Sequence, residues 1–389
     1  MTEKRTLTGR IAIAIFASLV CMAPFCASSQ EVKIGVILST TGPAASLGIF
    51  ERNGLSIIEG QTKQKMKFVV VDDGTDTTQA ARLAQRLMSE EKVDVIIGST
   101  TTPSSLTITP LAADGKTPVI SQAPSTNVVD PVDGPRRWVF KTTTNDDQEA
   151  RPLLENIKAT RTRTLAFIGF TDSYGEQWLR VTKKFATDNQ IDLVDEERYQ
   201  RTDASTASQV LKITSKNPDA ILIAASGGAA ATPLLELRSR GYRGRIYVTM
   251  GATFGDFIRI AGKNVDGLYA PFAAVMGVSQ IPDGNPAKAG AALFVQAYDA
   301  RFGAGSSNIF AAGVWDAVNL IDRAIPAALK SGAPGTPEFR TALRDALELT
   351  KDYTGARGIY NMTPTDHVGL DAASLSLGRY TDGQWVLQK

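Results

Sequence analysis

Cysteine and histidine are almost absent from this chain. Cys21 and Cys26 both fall within the first 29 residues, and His367 is the single histidine of 389 residues. Past residue 29 there is no disulfide to form, so stability has to come from core burial. Ser–His and Cys–His nucleophile pairs and His- or Cys-rich metal sites are excluded with them. No GxSxG elbow, HExxH, Walker A loop or GxGxxG occurs. An enzyme built on carboxylates alone, such as a glycosidase, stays open because Asp and Glu are plentiful.

Charge excess is missing too. The totals are 42 basic and 40 acidic residues; the first 29 residues hold Lys4, Arg5 and Arg10 against Glu3, which leaves 39 of each. A neutral body with no Lys/Arg run beside aromatics gives no nucleic-acid footprint. No apolar run past residue 29 is long enough to cross a bilayer.

What is present starts with an export signal. Lys4, Arg5 and Arg10 form a positive n-region, residues 11–25 an apolar stretch short for a membrane span, and Ala27-Ser28-Ser29 a small-residue cleavage site. The expectation is a periplasmic protein cleaved near Ser29, with about 360 residues left, enough for two lobes.

Short apolar runs then alternate with amphipathic stretches. Strands are expected at 32–38, 67–71, 93–97, 118–121, 165–169, 220–224, 245–249 and 268–270. Helices are expected at 76–90, 176–189, 208–216, 233–240, 287–302, 309–329 and 338–347. Several strands are unbroken Val/Ile/Leu runs, as in sheets covered on both faces. The alternation predicts an α/β fold of two doubly wound parallel sheets, about four strands each, facing across a cleft. A hairpin over Asp382-Gly383 closes a short β tail. Ser173 with Glu176 fits a capping box, and Thr336-Pro337 an N-cap followed by proline.

In doubly wound sheets ligands sit outside the carboxyl ends of the strands. Four such ends matter: Thr40-Thr41-Gly42, Gly98 through Thr102, Ser121 through Ser125, and Ala224 through Gly228. All are rich in hydroxyls or small residues and none is charged, which predicts a neutral, hydroxyl-lined cleft suited to a carboxylate. Asp72-Asp73 reads as a solvated turn, and His367 as a turn or surface residue.

Thr41-Gly42-Pro43 after the opening strand, Val93 through Gly98, Pro118 through Ser121 and Asp172 through Glu176 together resemble the type I periplasmic binding proteins. The nearest group is similar to the leucine/isoleucine/valine-binding protein family, the solute receptors of ABC importers. The resemblance covers nearly the whole chain after the signal. It implies two lobes joined by a hinge, with residues 30–144 and 275–350 in the first and 145–274 and 351–389 in the second. It implies a monomer that captures a small molecule by hinge closure and docks on a membrane permease, without cofactor or covalent step.

The family's binding positions map as follows. Leu47 stands where the family has an aromatic residue, and Thr102 where it has a serine. Ala123, Pro124 and Ser125 stand where it has Ala-Ala-Thr. Tyr174 matches a tyrosine; a second tyrosine falls at Ser226 or Gly227 and is missing. Phe310 matches a phenylalanine. The acid that pairs with the ligand's α-ammonium falls at Met250, so it too is missing. A buried unpaired charge costs several kcal/mol, more than the ~2 kcal/mol of a side-chain pocket. The implied ligand is therefore a carboxylate without an α-amine, an aromatic or 2-oxo acid of the benzoate or phenylglyoxylate type. A branched-chain or other amino acid is the alternative, and Asp256 is the acid that a loop shift would bring in. A sensory receptor would share all of these features.

Overall fold

The computed structural model describes residues 31–371 and 374–388. The expected export signal and its cleavage site near Ser29 lie outside them. The first sheet comprises β1 (Val32–Leu38), β2 (Met66–Asp72), β3 (Val95–Ile97), β4 (Val119–Ser121) and β5 (Val139–Lys141), in the order β2-β1-β3-β4-β5 and parallel throughout. The second comprises β6 (Thr164–Phe170), β7 (Asp192–Tyr199), β8 (Ala220–Ala224), β9 (Arg245–Val248) and β10 (Tyr269–Ala273). After a two-strand hairpin, β11 (Tyr353–Thr354) and β12 (Ile359–Tyr360), it is completed by β13 (Leu375–Thr381) and β14 (Gln384–Leu387). Its order is β14-β13-β10-β9-β8-β6-β7, with β13 antiparallel to both neighbours.

The two sheets thus hold five and seven strands rather than about four each. Two of the added strands, β13 and β14, are the hairpin expected over Asp382-Gly383, and the other two are short or charged. β5 has three residues, and β7, Asp-Leu-Val-Asp-Glu-Glu-Arg-Tyr, is an edge strand with one fully buried residue. Edge strands need no continuous apolar run, so their signal in sequence is weak.

The helices are α1 (Ala45–Ile58), α2 (Thr77–Ser89), α3 (Thr102–Asp114), α4 (Asp146–Ala159), α5 (Ser173–Asp188), α6 (Ala207–Ser215), α7 (Ala231–Ser239), α8 (Asp256–Ala261), α9 (Lys288–Phe302), α10 (Ile309–Ala328) and α11 (Pro337–Glu348). Thr336 caps α11 by accepting from Phe339 N at 3.2 Å, with Pro337 first in the helix. The cap of α5 is Asp172 rather than Ser173: its carboxylate accepts from Tyr174 N (3.0 Å) and Gly175 N (3.3 Å). A carboxylate also favours the positive end of the helix dipole, which a serine hydroxyl does not. Glu176 is released from capping and pairs with Arg198.

The chain crosses between lobes three times, after β5, after β10 and between β12 and β13. Residues before β13 hold to the first lobe. Asp316 of α10 accepts from Ala356 N (2.7 Å) and Arg357 N (2.9 Å), and the Tyr360 hydroxyl lies 2.8 Å from it and 3.0 Å from Thr142 O. His367 is buried, not exposed. Its ring stacks on Phe140 at 4.1 Å, Nδ1 lies 2.9 Å from Val139 O, and its carbonyl accepts from Lys141 N at 3.0 Å. It covers the β5 edge, which would otherwise be open to pairing. So the segment expected to belong wholly to the second lobe from residue 351 joins that sheet at Leu375.

Asp72 and Asp73 also differ from a plain solvated turn. Asp72 accepts from Thr40 N and Gly74 N, both at 2.9 Å. Asp73 is fully buried and accepts from the Ser39 hydroxyl (2.7 Å) and the Ser99 hydroxyl (2.5 Å), tying the ends of β1 and β3 together.

α1 and α10 approach so closely that a Cβ on Gly54 would lie 2.4 Å from Ala311 O. Alanine would gain about 1 kcal/mol of helix propensity, but forcing two helix backbones apart costs about 1–3 kcal/mol. Gly54→Ala should therefore lower the unfolding midpoint; an unchanged or raised midpoint would show that the helices separate freely.

Candidate functional site

A cavity lies between the lobes at the carboxyl ends of both sheets. The first lobe lines it with Leu47 and Glu51 of α1, Thr100, Thr101 and Thr102 at the start of α3, Gln122 and Pro124 after β4, Thr143, Ile309, Phe310 and Arg357. Glu149 of α4, the first helix past the crossing, lines it from the second lobe. The second also contributes Tyr174 at the start of α5, Arg201 after β7, Ser226 after β8, and Met250 and Gly251 after β9. Its free volume is about 40 Å³. That holds a few waters and is well below the roughly 150 Å³ that takes a benzene ring, so a ring enters only as the lobes part.

Of the residues singled out from sequence, Leu47, Thr102, Pro124, Tyr174, Ser226, Met250 and Phe310 line this cavity. Ala123, Ser125 and Gly227 do not. Ala123 is fully buried behind the loop, with its N–H given to the Ser121 hydroxyl at 3.1 Å. Ser125 is fully buried with its side chain toward Asp146. Gly227 has φ of +58°, and a Cβ there would lie 3.1 Å from Leu47 Cδ1 and 3.2 Å from Ser46 Oγ. It sits where the lobes touch, and glycine permits that approach.

Two of these residues have distinct side-chain settings. The N-cap of α3 is Thr101, and Thr102 Oγ1 is buried with no hydrogen-bond partner. An orphaned buried hydroxyl at a cavity wall is a group waiting for a partner. Tyr174 donates its phenol to Thr249 Oγ1 at 2.8 Å, and that hydroxyl donates to Ala225 O at 2.8 Å. The phenol is thus committed within the second lobe.

The cavity is charged, which corrects the expectation of a neutral gap. Arg201 is held by Asp172 (Nε to Oδ2, 2.6 Å) and Ser226 (Nη1 to Oγ, 2.9 Å), with its guanidinium 4.1 Å from the Phe170 ring centre. Arg357, 6% exposed, anchors Nη1 on Ile309 O at 3.0 Å and makes no ion pair among the described residues. Glu51, 1% exposed, accepts a hydrogen bond from the Thr100 hydroxyl. Burial pushes Glu51 up to about 8 from its ordinary 4.5. Glu149 is also pushed up to about 8, first by burial and then by Asp146, against the pull of Arg357 and Lys141. Near neutral pH both glutamates are therefore protonated acids that can donate as well as accept. Asp256, the acid a loop shift was to supply, instead pairs with Arg259 at 2.8 Å outside the cavity.

Behind the wall lies Lys141, fully buried. Its ammonium donates to Pro124 O (2.6 Å), Ser125 O (3.1 Å) and Asn145 Oδ1 (2.6 Å), fastening the loop after β4 to the crossing into α4. Burial lowers it to about 8, while Asp146, raised to about 7 by burial, holds it up.

Sequence reasoning missed the four charged residues because it searched only the ends of the strands it expected, and β7, which Arg201 follows, was not among them. Glu51 and Glu149 stand within helices, and Arg357 enters from the tail. Glu51 falls on the buried stripe Leu47, Leu55, Ile58 of α1, and Glu149 on the stripe Leu153, Ile157 of α4. A charge on an apolar stripe was the available signal.

Two parallel-sheet lobes closing on a buried cavity at their strand ends define a hinged solute-binding protein. The sequence matches the family model described as periplasmic binding protein over residues 31–383, and the chain belongs to that family of solute-binding receptors. An extracellular ligand-binding receptor from Rhodopseudomonas palustris HaA2 is 40% identical, with a TM-score of 0.88, covering 92% of this chain and 99% of its own. The solute-binding protein of an R. palustris ABC transporter, in complex with benzoate, is 22% identical with a TM-score of 0.78, covering 92% and 95%. The leucine-binding protein LivK of Thermotoga maritima is 22% identical with a TM-score of 0.80, covering 92% and 98%. The latter two share the fold. Comparison with curated protein sequences finds no match.

The raised acids have a consequence for stability. A carboxyl whose folded pKa lies above its unfolded one stabilises fully below the unfolded value and loses that contribution as pH rises to the folded value. Glu51 and Glu149 should thus make the unfolding midpoint fall between about pH 4.5 and 8. Glu51→Gln and Glu149→Gln should each flatten that fall in a thermal-melt series. Unchanged slopes would mean that these acids are ionised in the fold.

Proposed function

We propose that this protein is the receptor of an ABC importer for a small carboxylate with an apolar body, of the aromatic or 2-oxo acid type. The observation that carries the reading is the cavity's charge balance. Arg357 stands there in no ion pair among the described residues, with the Asp316 carboxylate acting on it from behind the wall, while burial raises Glu51 and Glu149 to about 8, which favours their protonated forms at neutral pH. An anion placed there gains charge-assisted hydrogen bonds from a preformed fork and meets no carboxylate on the cavity wall that is ionised near neutral pH. Thr102 Oγ1 offers a further donor, and Leu47, Met250, Ile309 and Phe310 offer apolar wall. The benzoate complex of an R. palustris receptor of the same fold agrees with this chemistry.

Binding would proceed by hinge closure. The first lobe holds Thr102, Arg357 and Phe310; the second swings in Tyr174, Arg201, Ser226 and Met250. Closure is favoured by the contacts the ligand adds across the seam. The closed form, acting as a monomer in the periplasm, would present itself to an inner-membrane permease, as family members do.

An amino acid is the second reading, and the glutamates themselves favour it. Ionising an acid of pKa about 8 at pH 7 costs only about 1.4 kcal/mol, which an ammonium partner would return. The two readings differ in the sign of their pH dependence. A carboxylate ligand is repelled once the glutamates ionise, so its affinity should fall about tenfold or more from pH 6.5 to 9. An amino acid should hold or gain affinity up to about pH 8, where its ammonium finds an ionised partner.

Calorimetry on ligand-stripped protein decides between them, with benzoate and phenylglyoxylate against leucine and valine. Saturable binding of an aromatic or 2-oxo acid is expected. Arg357→Ala should weaken it by about 3 kcal/mol, roughly a hundredfold. Tight leucine binding with no response to aromatic acids would overturn the ligand assignment. Turnover of the bound acid would instead favour a hydrolase.

A further inference from the structure

At the end of the second sheet far from the cleft, four arginines surround an open basin of about 550 Å³. Arg238 lies at the end of α7, Arg243 and Arg245 lead into β9, and Arg379 stands on β13 opposite Tyr269. Adjacent strands bring them together, since Tyr269 also pairs with Tyr247, two residues beyond Arg245.

None of the four is in an ion pair among the described residues, whereas Arg240 and Arg259 nearby each pair with an acid of their own helix. The two acids of the basin offset only half of their charge. The Asp219 carboxylate is taken by Arg163 N (2.8 Å) and Thr164 N (3.0 Å). Asp266 gives its backbone carbonyl to Arg238 Nη2 at 3.1 Å, and two carboxylates in all stand against four guanidinium groups.

Two of the forks are already oriented. Arg238 is fixed by Asn264 O and Asp266 O, and Arg379 lies 5.7 Å from the Tyr269 ring centre. Loss of water and the neighbouring Arg243 both disfavour the charge on Arg238, a strain that a bound anion would relieve.

We propose that this basin is a binding site for a multivalent oxyanion of the phosphate class, gripped by guanidinium groups from α7, β9 and β13. Planar forks match phosphate oxygens in pairs, and a concave cluster from three elements suits a discrete anionic group better than a diffuse counterion cloud. Free phosphate and a phospholipid headgroup present the same chemistry, and the test separates them.

Full-length processed protein would be titrated with sodium pyrophosphate at constant ionic strength, beside an Arg243→Gln/Arg379→Gln double variant. In parallel, both would be sedimented with phosphatidylglycerol or phosphatidylcholine vesicles. Saturable one-to-one pyrophosphate binding, weakened tenfold or more in the variant, supports the site with a soluble anion as its ligand. Capture by phosphatidylglycerol vesicles alone, lost in the variant, supports it with a lipid headgroup. Unsaturable binding, equal binding by the variant, or a response that chloride reproduces overturns the proposal. Both arginines are exposed, and an unchanged unfolding midpoint in chloride shows that the variant remains folded.

Discussion

The site rests on the cost of taking carboxyl groups out of water. Glu51, Glu149 and Asp146 are each buried in or beside the seam between lobes, and desolvation is the largest influence on all three. An ionised carboxylate there without a partner would cost several kcal/mol. The fold meets this in two ways. The charge of Lys141 offsets part of the burial cost at Asp146, which is still raised to about 7, while Glu51 and Glu149 keep their protons. The fixed positive charge of Arg357 is then left without an equal opposite charge at the cavity wall. The polarity of the cleft thus follows from burial rather than from a count of acids and bases.

The same buried cluster couples the site to the moving parts. Lys141 ends β5, the last strand of the first sheet, and holds the carbonyls of Pro124 and Ser125 together with Asn145 at the crossing into α4. One cavity-wall loop and one interlobe crossing are thereby tied to a single ammonium. On the far side of the cleft, Arg201 is clamped by Asp172 and Ser226. Each lobe therefore carries a preorganised half-site, and the small free volume between them makes opening a condition of entry. Preorganisation of this kind reduces the ordering cost of binding.

Much of the fold was legible because its central strands are unbroken apolar runs. Residues 32–38 and 220–224 appear in the structure with the bounds read from sequence. What escaped was edge and tail. β5 is too short and β7 too polar to signal a strand, and the docking of Tyr360 and His367 onto the first lobe is a long-range event with no local trace. At the site, the strand-end rule led to the loops of Thr102, Pro124 and Ser226 and the family resemblance to Met250, all of which line the cavity. It could not find Glu51, Glu149, Arg201 or Arg357, which reach the cavity from helix interiors, an edge-strand exit and the tail. Ser125 and Gly227 show the reverse limit: correct loops, but side chains or backbone turned to packing.

Infrared spectroscopy of the carboxylic-acid carbonyl stretch tests the central claim most directly. The native protein should show buried protonated acids near pH 7 that vanish by about pH 10, with Glu51→Gln and Glu149→Gln each removing part of the band. A spectrum with no such band at about pH 6 would contradict the account. It would mean ionised carboxylates in the cleft, and with them a place for a cation.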